Sequence, residues 1–226
     1  MNINILFAVN FSTPKENSLI LVDQRFSQLN FIQYLTNREL PKDILKDTIL
    51  DSTKFNTADY IYFPISKTNS LGDKSPNDLV KVSPEYTIRD IYVSKLIISD
   101  LQNLIDAASR DGITLKIVSG YRSYTEQSTL FNYYLQLERS KSPNLSNSEL
   151  EKIVNTYSAK PGHSEHQLGT TVDVLSAENN YQFDSNEKLK YVQWIEKNSV
   201  RFNFIISYPK GNSEYIYEPW HIRWRK

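Results

Sequence analysis

Residues 161–173 read Pro-Gly-His-Ser-Glu-His-Gln-Leu-Gly-Thr-Thr-Val-Asp. These thirteen residues contain two imidazoles, two carboxylates and two glycines, and no other segment of the chain is so dense in potential metal ligands. The glycines predict turns, and the β-branched residues within 170–174 predict a strand. We therefore expect Asp173 on that strand and His166 in the loop before it.

The chain has three histidines, and the third, His221, lies near the C-terminus in Glu218-Pro219-Trp220-His221. Together His166, Asp173 and His221 would supply three nitrogen and oxygen ligands, leaving the fourth tetrahedral position of Zn²⁺ open for water. An open position is typical of a catalytic zinc site. The spacing alone leaves a metal site and an ordinary set of polar side chains both open, and His163 is expected to be polar surface.

The composition limits the class of protein. A chain of 226 residues suffices for one well-buried catalytic domain with an N-terminal appendage. Its 26 lysines and arginines balance 26 aspartates and glutamates, so no overall charge attracts nucleic acid or an anionic membrane. The absence of cysteine excludes disulfides and thiolate ligands. The apolar run at residues 5–9 is too short for a membrane span and lacks the flanks of a signal peptide.

From residue 93 onward the pattern favours an α+β domain. Apolar residues at three- and four-residue spacing over 93–108 predict a helix that Asp111-Gly112 ends. Residues 113–118 predict a buried strand, and Ser123 with Glu126 predicts a capping box at the start of the next helix, which runs to about residue 138. Helices over 148–157 and 187–198 and strands over 202–207 and 215–224 follow. Short late connections favour a mostly antiparallel sheet covered by helices.

Residues 1–75 carry weaker signals. They contain a short helical pattern over residues 24–35, and residues 70–85, with Gly72, Pro76 and Pro84, predict a turn-rich lead-in. We therefore expect an N-terminal region of unknown role at residues 1–75 and a catalytic domain at residues 76–226.

Two charged residues stand beside predicted turns. Arg122 follows Gly120 at a strand-to-helix junction, where it is either a solvated surface charge or an anion-binding residue. Glu218 is either a solvated or salt-bridged carboxylate or a general base beside a metal. Pro219 opposes a regular strand or helix between Glu218 and His221, so a local bend could aim both side chains into one cleft.

These motifs together resemble a known family. Ser-Gly-Tyr-Arg-Ser at residues 119–123 with Gln127, Ser164-x-His166 with Gly169 and Asp173, and Tyr-Pro-Lys-Gly at residues 208–211 with Glu-Pro-Trp-His at residues 218–221 are similar to the zinc D-alanyl-D-alanine carboxypeptidases of the VanY type, zinc peptidase family M15. The resemblance covers residues 76–226. It departs at Thr170-Thr171, where apolar or small residues are usual, and at Asn203, where glycine is common.

The resemblance implies a hedgehog/D,D-peptidase-like α+β fold with the zinc site in a cleft on the sheet, and one Zn²⁺ per chain. It implies that the zinc ligands are His166, Asp173 and His221. It further implies that Glu218 is the catalytic base and that Arg122 holds the substrate, while Gln127 and Ser164 line the substrate site.

The expected function is that of a zinc metallocarboxypeptidase removing the C-terminal D-alanine from peptidoglycan stem peptides or their precursors. One alternative is an L,D-carboxypeptidase or an endolysin-type endopeptidase acting on the same polymer. An alternative of another class is a catalytically inactive, zinc-stabilised cell-wall binding module, although Glu218 argues against it because a binding module needs no base. We expect a monomer in the cell envelope or on the extracellular side of a bacterium, with a peptidoglycan stem peptide as partner, no nucleic acid and no stable membrane span.

Overall fold

In the computed structural model of this chain, the described residues are 7–9, 20–22 and 54–226. The chain divides into two compact units, Met1–Pro41 and Lys42–Lys226. In the first unit, β1 (Phe7–Val9) pairs antiparallel with β2 (Ile20–Val22). The helix predicted over residues 24–35 lies outside the described residues.

The described part of the second unit is built on a four-stranded antiparallel sheet. The strands of this part of the chain are β3 (Lys54–Phe55), β4 (Ser75–Pro76), β5 (Leu79–Lys81), β6 (Tyr92–Ser94), β7 (Leu115–Ser119), β8 (Thr171–Ser176), β9 (Phe204–Ile206) and β10 (His221–Trp224). The strand order β7-β8-β10-β9 forms the main sheet, in which every pairing is antiparallel. Two smaller two-stranded sheets, β3 with β4 and β5 with β6, are formed by residues that precede β7 in the chain.

The helices of the same part are α1 (Thr57–Tyr60), α2 (Ile98–Arg110), α3 (Tyr124–Lys141), α4 (Asn147–Val154) and α5 (Lys190–Asn198). Capping boxes begin α3 at Ser123 and α4 at Ser146. The predicted box at Ser123 and Glu126 is thereby confirmed, and so is the α+β class. Among the described residues, no helix combines the length and the apolar character that crossing a membrane requires.

The sheet is buried on both faces. All six residues of β8 are buried, although side chains alternate between the two faces of a strand. Helix α2 packs against β7 and buries an apolar face that includes Leu101, Leu104 and Ala108. Burial of each of the two leucine side chains contributes about 1.5 to 3 kcal/mol. Any charged residue on β8 or β10 is therefore held in a largely water-free layer.

Of the boundaries that differ from the prediction, two have a clear cause in the local geometry. The helix expected from residue 93 begins at Ile98, since Tyr92–Ser94 pairs as β6 and Ser94 then caps a 3-10 turn. The last strand was expected over residues 215–224 but begins at His221. Pro219 has no N–H to donate to a neighbouring strand, and the His221 amide instead donates to the Glu218 carbonyl in a turn.

The departures from the family pattern fit this backbone. Asn203 has φ +63° at the end of a 3-10 helix, a left-handed conformation that asparagine adopts more readily than most residues. Its side chain also donates to Asp100 at 2.8 Å. Asn203 therefore adopts the conformation that glycine would adopt here and makes a hydrogen bond that glycine could not make. Thr170 and Thr171 are fully buried, and Thr171 begins β8, where β-branched residues suit a strand.

Candidate active site

Strand register brings two of the predicted ligands together. Asp173 on β8 lies directly opposite His221 on β10, and such cross-strand neighbours have their Cβ atoms about 4.5 to 5.5 Å apart. On the other side of β8, Ser119 of β7 also lies opposite Asp173, after an irregularity in the pairing between Ile117 and Ser119. Asp173 is thus fixed at the centre of the sheet and is 1% exposed.

His166 reaches the same place from a loop. It lies in the 3-10 helix Glu165–Leu168, which Gly169 ends with φ +73°. Its Nδ1 lies 2.8 Å from the carbonyl oxygen of Gly120. A Cβ on Gly120 would lie 2.5 Å from the Ile91 side chain and 2.6 Å from the Tyr92 carbonyl, so glycine is needed for this close approach.

The three predicted ligands form one buried cluster. His166 Nε2 lies 3.2 Å from Asp173 Oδ2, and His221 Nδ1 lies 3.1 Å from Asp173 Oδ1. One ligand atom from each of the three residues lies within 4.8 Å of the other two. Burial and the neighbouring imidazoles act in opposite directions on the Asp173 carboxyl, and the imidazoles hold its pKa well below its ordinary value.

The chemistry of this cluster fits a metal ion. His166 can donate its Nδ1 proton to Gly120, and His221 can donate its Nε2 proton to Glu165 Oε2 at 3.1 Å. In a neutral imidazole the other nitrogen is then an acceptor, so both inner nitrogens face the Asp173 carboxylate without a proton between them. The lone pairs of the two nitrogens and the charge of the carboxylate repel one another, and a cation between them removes this repulsion. A proton on His221 is one such cation: burial lowers the pKa of His221, but Asp173 and Glu165 raise it to about 10. Two nitrogens and a carboxylate oxygen are also ligands that zinc accepts.

Glu218 lies at the edge of the cluster, in the turn before β10. Its Oε2 is 4.0 Å from His221 Nδ1. Burial raises the pKa of its carboxyl to about 8; the Asp173 carboxylate adds to this rise, while His221 and Arg122 oppose it. A carboxyl group that titrates near neutral pH can both accept and return a proton.

Arg122 supplies positive charge next to this carboxyl. Its backbone amide donates to the His166 carbonyl at 3.3 Å, which ties the strand-to-helix junction to the ligand loop. Its Nε is buried and has no hydrogen-bond partner in the part of the chain that the structure describes. Leaving a buried donor unpaired costs about 1 to 3 kcal/mol. An anionic ligand would supply the missing acceptor.

The remaining predicted residues differ in their surroundings. Gln127 is 1% exposed; its Nε2 donates to the Ala159 carbonyl at 2.6 Å, while its Oε1 has no partner among the described residues. Ser164 is buried immediately before the 3-10 helix of His166. His163 stays outside the metal cluster, as expected, but is half-buried, with Nδ1 2.7 Å from the Ser66 carbonyl.

Three residues around His221 had no role in the prediction. Glu165 contacts Nε2 of His221 and pairs with Arg223, whose Nη1 lies 2.7 Å from Glu165 Oε1. Burial raises the pKa of the Glu165 carboxyl, but His221 and Arg223 outweigh it and hold that pKa at about 2. The ring of Tyr208 stacks on the imidazole of His221, with 4.4 Å between the ring centroids and an angle of 13° between the ring planes. The alternation of His221 and Arg223 on one strand could have pointed to Arg223. Tyr208 begins the Tyr-Pro-Lys-Gly motif at residues 208–211, but the motif indicated no role for it.

The chain has clear relatives. The VanY family model, described as D-alanyl-D-alanine carboxypeptidase, matches residues 90–226. A Bacillus subtilis (strain 168) protein named as a carboxypeptidase, YodJ, is 34% identical over 163 residues, which cover 68% of this chain and 55% of YodJ. A D-alanyl-D-alanine carboxypeptidase of Enterococcus faecalis (strain ATCC 700802 / V583) is 34% identical over 127 residues, which cover 55% of this chain and 45% of that relative. The chain therefore spans about half the length of these curated relatives.

Matches to solved structures cover a larger share of both chains. The LdcB LD-carboxypeptidase is 31% identical with a TM-score of 0.61, and the match covers 71% of this chain and 74% of that protein. VanYB in complex with D-alanine-D-alanine is 28% identical with a TM-score of 0.62 and covers 73% of this chain and 86% of its own. A mutant of the D,D-pentapeptidase VanY in complex with Zn(II) is 28% identical with a TM-score of 0.61 and covers 73% of this chain and 88% of its own. With its fold, its His-Asp-His cluster and the family match over residues 90–226, this chain belongs to the VanY family of D-alanyl-D-alanine carboxypeptidases.

Proposed function

We propose that this chain is a zinc metallocarboxypeptidase that removes the C-terminal D-alanine from peptidoglycan stem peptides or their precursors. The observation that carries the proposal is the convergence of His166, Asp173 and His221 within 4.8 Å. Beside this cluster lie the buried carboxyl of Glu218 and the unpaired Nε of Arg122. The three elements correspond to a metal site, a proton acceptor and a group that recognises a chain end.

The metal would be held by Nε2 of His166, the carboxylate of Asp173 and Nδ1 of His221, one Zn²⁺ per chain. When bound, zinc supplies Lewis-acid chemistry that polarises a peptide carbonyl and makes water more acidic. A set of three nitrogen and oxygen ligands is that of catalytic zinc sites, whereas structural sites use four protein ligands.

Glu218 would act as general base and then as general acid. Its carboxylate oxygen takes a proton from the attacking water and returns it to the leaving amine. The burial that raises the pKa of Glu218 also keeps bulk water from supplying competing protons. The short turn through Pro219 lets Glu218 stand beside His221 without being a ligand.

Arg122 would hold the free carboxylate of the peptide. A guanidinium pairs with a carboxylate through two parallel hydrogen bonds, and the unpaired Nε of Arg122 is one donor ready for this. Recognition of a terminal carboxylate explains cleavage at a chain end rather than within a chain. Gln127, through its unpaired Oε1, and Ser164 would line the substrate site.

Peptide hydrolysis with mass analysis tests this function. A pentapeptide ending in D-alanyl-D-alanine should lose one alanine, a chelator should abolish the loss, and added zinc should restore it. Cleavage of a tetrapeptide alone would indicate the L,D activity of relatives such as LdcB, and splitting of cross-linked peptides would indicate an endopeptidase. Zinc binding with no cleavage of any of these peptides would contradict the proposal in favour of a binding module.

The same proposal places the protein in the cell envelope or on the extracellular side of a bacterium, acting as a monomer and without a nucleic-acid partner. Light scattering on the purified chain tests the monomer. The division into an N-terminal region of unknown role, residues 1–75, and a catalytic domain, residues 76–226, stays a prediction.

A further inference from the structure

The carboxylate of Glu165 bridges an imidazole of the metal cluster and a buried guanidinium. Its Oε2 lies 3.1 Å from His221 Nε2, and its Oε1 lies 2.7 Å from Arg223 Nη1. Glu165 is 6% exposed, His221 3% and Arg223 1%. With so little water nearby, each oxygen of this carboxylate has a defined protein partner.

We propose that Glu165, held by Arg223, is a positioning residue that fixes the tautomer and ring orientation of His221 for metal binding, an inference that rests on the zinc function proposed above. Because Glu165 accepts the proton on Nε2, the lone pair of a neutral His221 is on Nδ1. That nitrogen is the one 3.1 Å from Asp173. The opposite tautomer would put a proton on Nδ1 and remove His221 from the ligand set.

The two ligand imidazoles are held by partners of different charge. His166 Nδ1 faces the neutral Gly120 carbonyl, whereas His221 Nε2 faces a carboxylate. A hydrogen bond to a carboxylate orients the ring and makes the ligating nitrogen a better electron donor. Both partners therefore set the tautomer of a ligand imidazole, but only Glu165 adds a negative charge that makes the ligating nitrogen a stronger electron donor.

Arg223 keeps the Glu165 carboxylate in place. It lies two residues after His221 on β10, so its side chain leaves the same face of the strand. Besides Glu165 it donates through Nη2 to the carbonyls of Ile61 at 3.0 Å and Phe63 at 2.8 Å. The guanidinium is thus fixed by backbone, and its charge offsets a carboxylate that would be costly to bury alone.

A purely architectural ion pair is the competing explanation, because Arg223 also joins β10 to residues 61–63. The two explanations differ in zinc affinity and in the state of His221, which a pair that only stabilises the fold would leave unchanged. Zinc affinity is measured by competition with a chromophoric chelator. The imidazole proton on His221 Nε2 is followed in ¹H–¹⁵N spectra of the zinc-loaded, histidine-labelled protein.

Glu165→Gln should bind zinc about 10- to 100-fold more weakly than the wild type, as expected for loss of an outer partner of a ligand. The His221 Nε2–H signal should shift and exchange faster with water, while the His166 Nδ1–H signal should stay in place. The matched control is Glu151→Gln, since Glu151 pairs with Lys160 at 2.7 Å on the surface with 42% of its side chain exposed. The control should keep wild-type zinc affinity.

The double variant Glu165→Met/Arg223→Met removes the bridge without leaving a buried charge, because apolar residues can replace a buried ion pair. If it folds and binds zinc as tightly as the wild type, the proposal is overturned. If it does not fold, Glu165→Gln decides by the same two measurements. A wild type that binds zinc but cleaves no stem peptide would refute the proposed function alone, because neither readout here depends on hydrolysis.

Discussion

Replacing Glu218 by glutamine is expected to stabilise the zinc-free protein at neutral to alkaline pH and to remove most of the turnover of the zinc-loaded protein. The Glu218 side chain lies 4.0 Å from His221 and is 10% exposed. Burial raises the pKa of its carboxyl from 4.5 to about 8. Between these two values the folded protein holds a proton that the unfolded chain has released. Stability is therefore lost as the pH rises from the lower value through the higher one.

The size of this loss follows from the pKa. One pKa unit corresponds to about 1.4 kcal/mol, so the difference between 4.5 and about 8 amounts to on the order of 4 kcal/mol at pH 8. Glutamine has nearly the same shape and stays neutral at every pH. The free energy of unfolding of the zinc-free variant should therefore exceed that of the wild type by little at pH 5 and by most of this amount at pH 8.

Thermal melting of zinc-free protein at several pH values between 5 and 8 measures this difference. In the zinc-loaded protein the same variant should keep about one zinc per chain and lose roughly 10²- to 10⁴-fold in turnover, the usual contribution of a positioned general base. Glu196→Gln is the control, because Glu196 contacts Lys210 with 36% of its side chain exposed. If the difference in melting temperature between the variant and the wild type is the same at every pH, Glu218 is not desolvated. Full turnover of the variant would exclude Glu218 as the base.

Three further outcomes are expected. His166→Ala should abolish both stoichiometric zinc and peptide hydrolysis, whereas His163→Ala should retain both; zinc analysis and the pentapeptide assay decide, and full zinc in His166→Ala would remove that residue from the site. Arg122→Ala and amidation of the peptide C-terminus should each cost on the order of 2 to 5 kcal/mol in kcat/KM, and the two losses should not add; additive losses would place Arg122 away from the carboxylate. Ser123→Ala should lower the free energy of unfolding by about 0.5 to 2 kcal/mol in urea titrations, because it removes the cap of α3, and an unchanged midpoint would mean that the capping box contributes nothing.

Local patterns in the sequence were sufficient for most elements and for the types of ligand. The capping box at Ser123, the apolar spacing in α2 and the β-branched start of β8 act over a few residues, so they can be recognised without knowing the fold. The scarcity of histidine and its placement beside carboxylates pointed to His166 and His221 in the same way. Residues 218–221 were harder, because Pro219 shortened the last strand to a start at His221.

What only the tertiary structure decided is how distant residues meet. Asp173 and His221 are 48 residues apart, and the β8–β10 register makes them direct neighbours; a shift of one residue would turn His221 to the opposite face. The same register carries Arg223 to Glu165, 58 residues away, and so determines which imidazole nitrogen of His221 is free. Composition and spacing specify which chemical groups the chain possesses. Which lone pair faces which carboxylate depends on long-range pairing and burial, and these exist only once the sheet has formed.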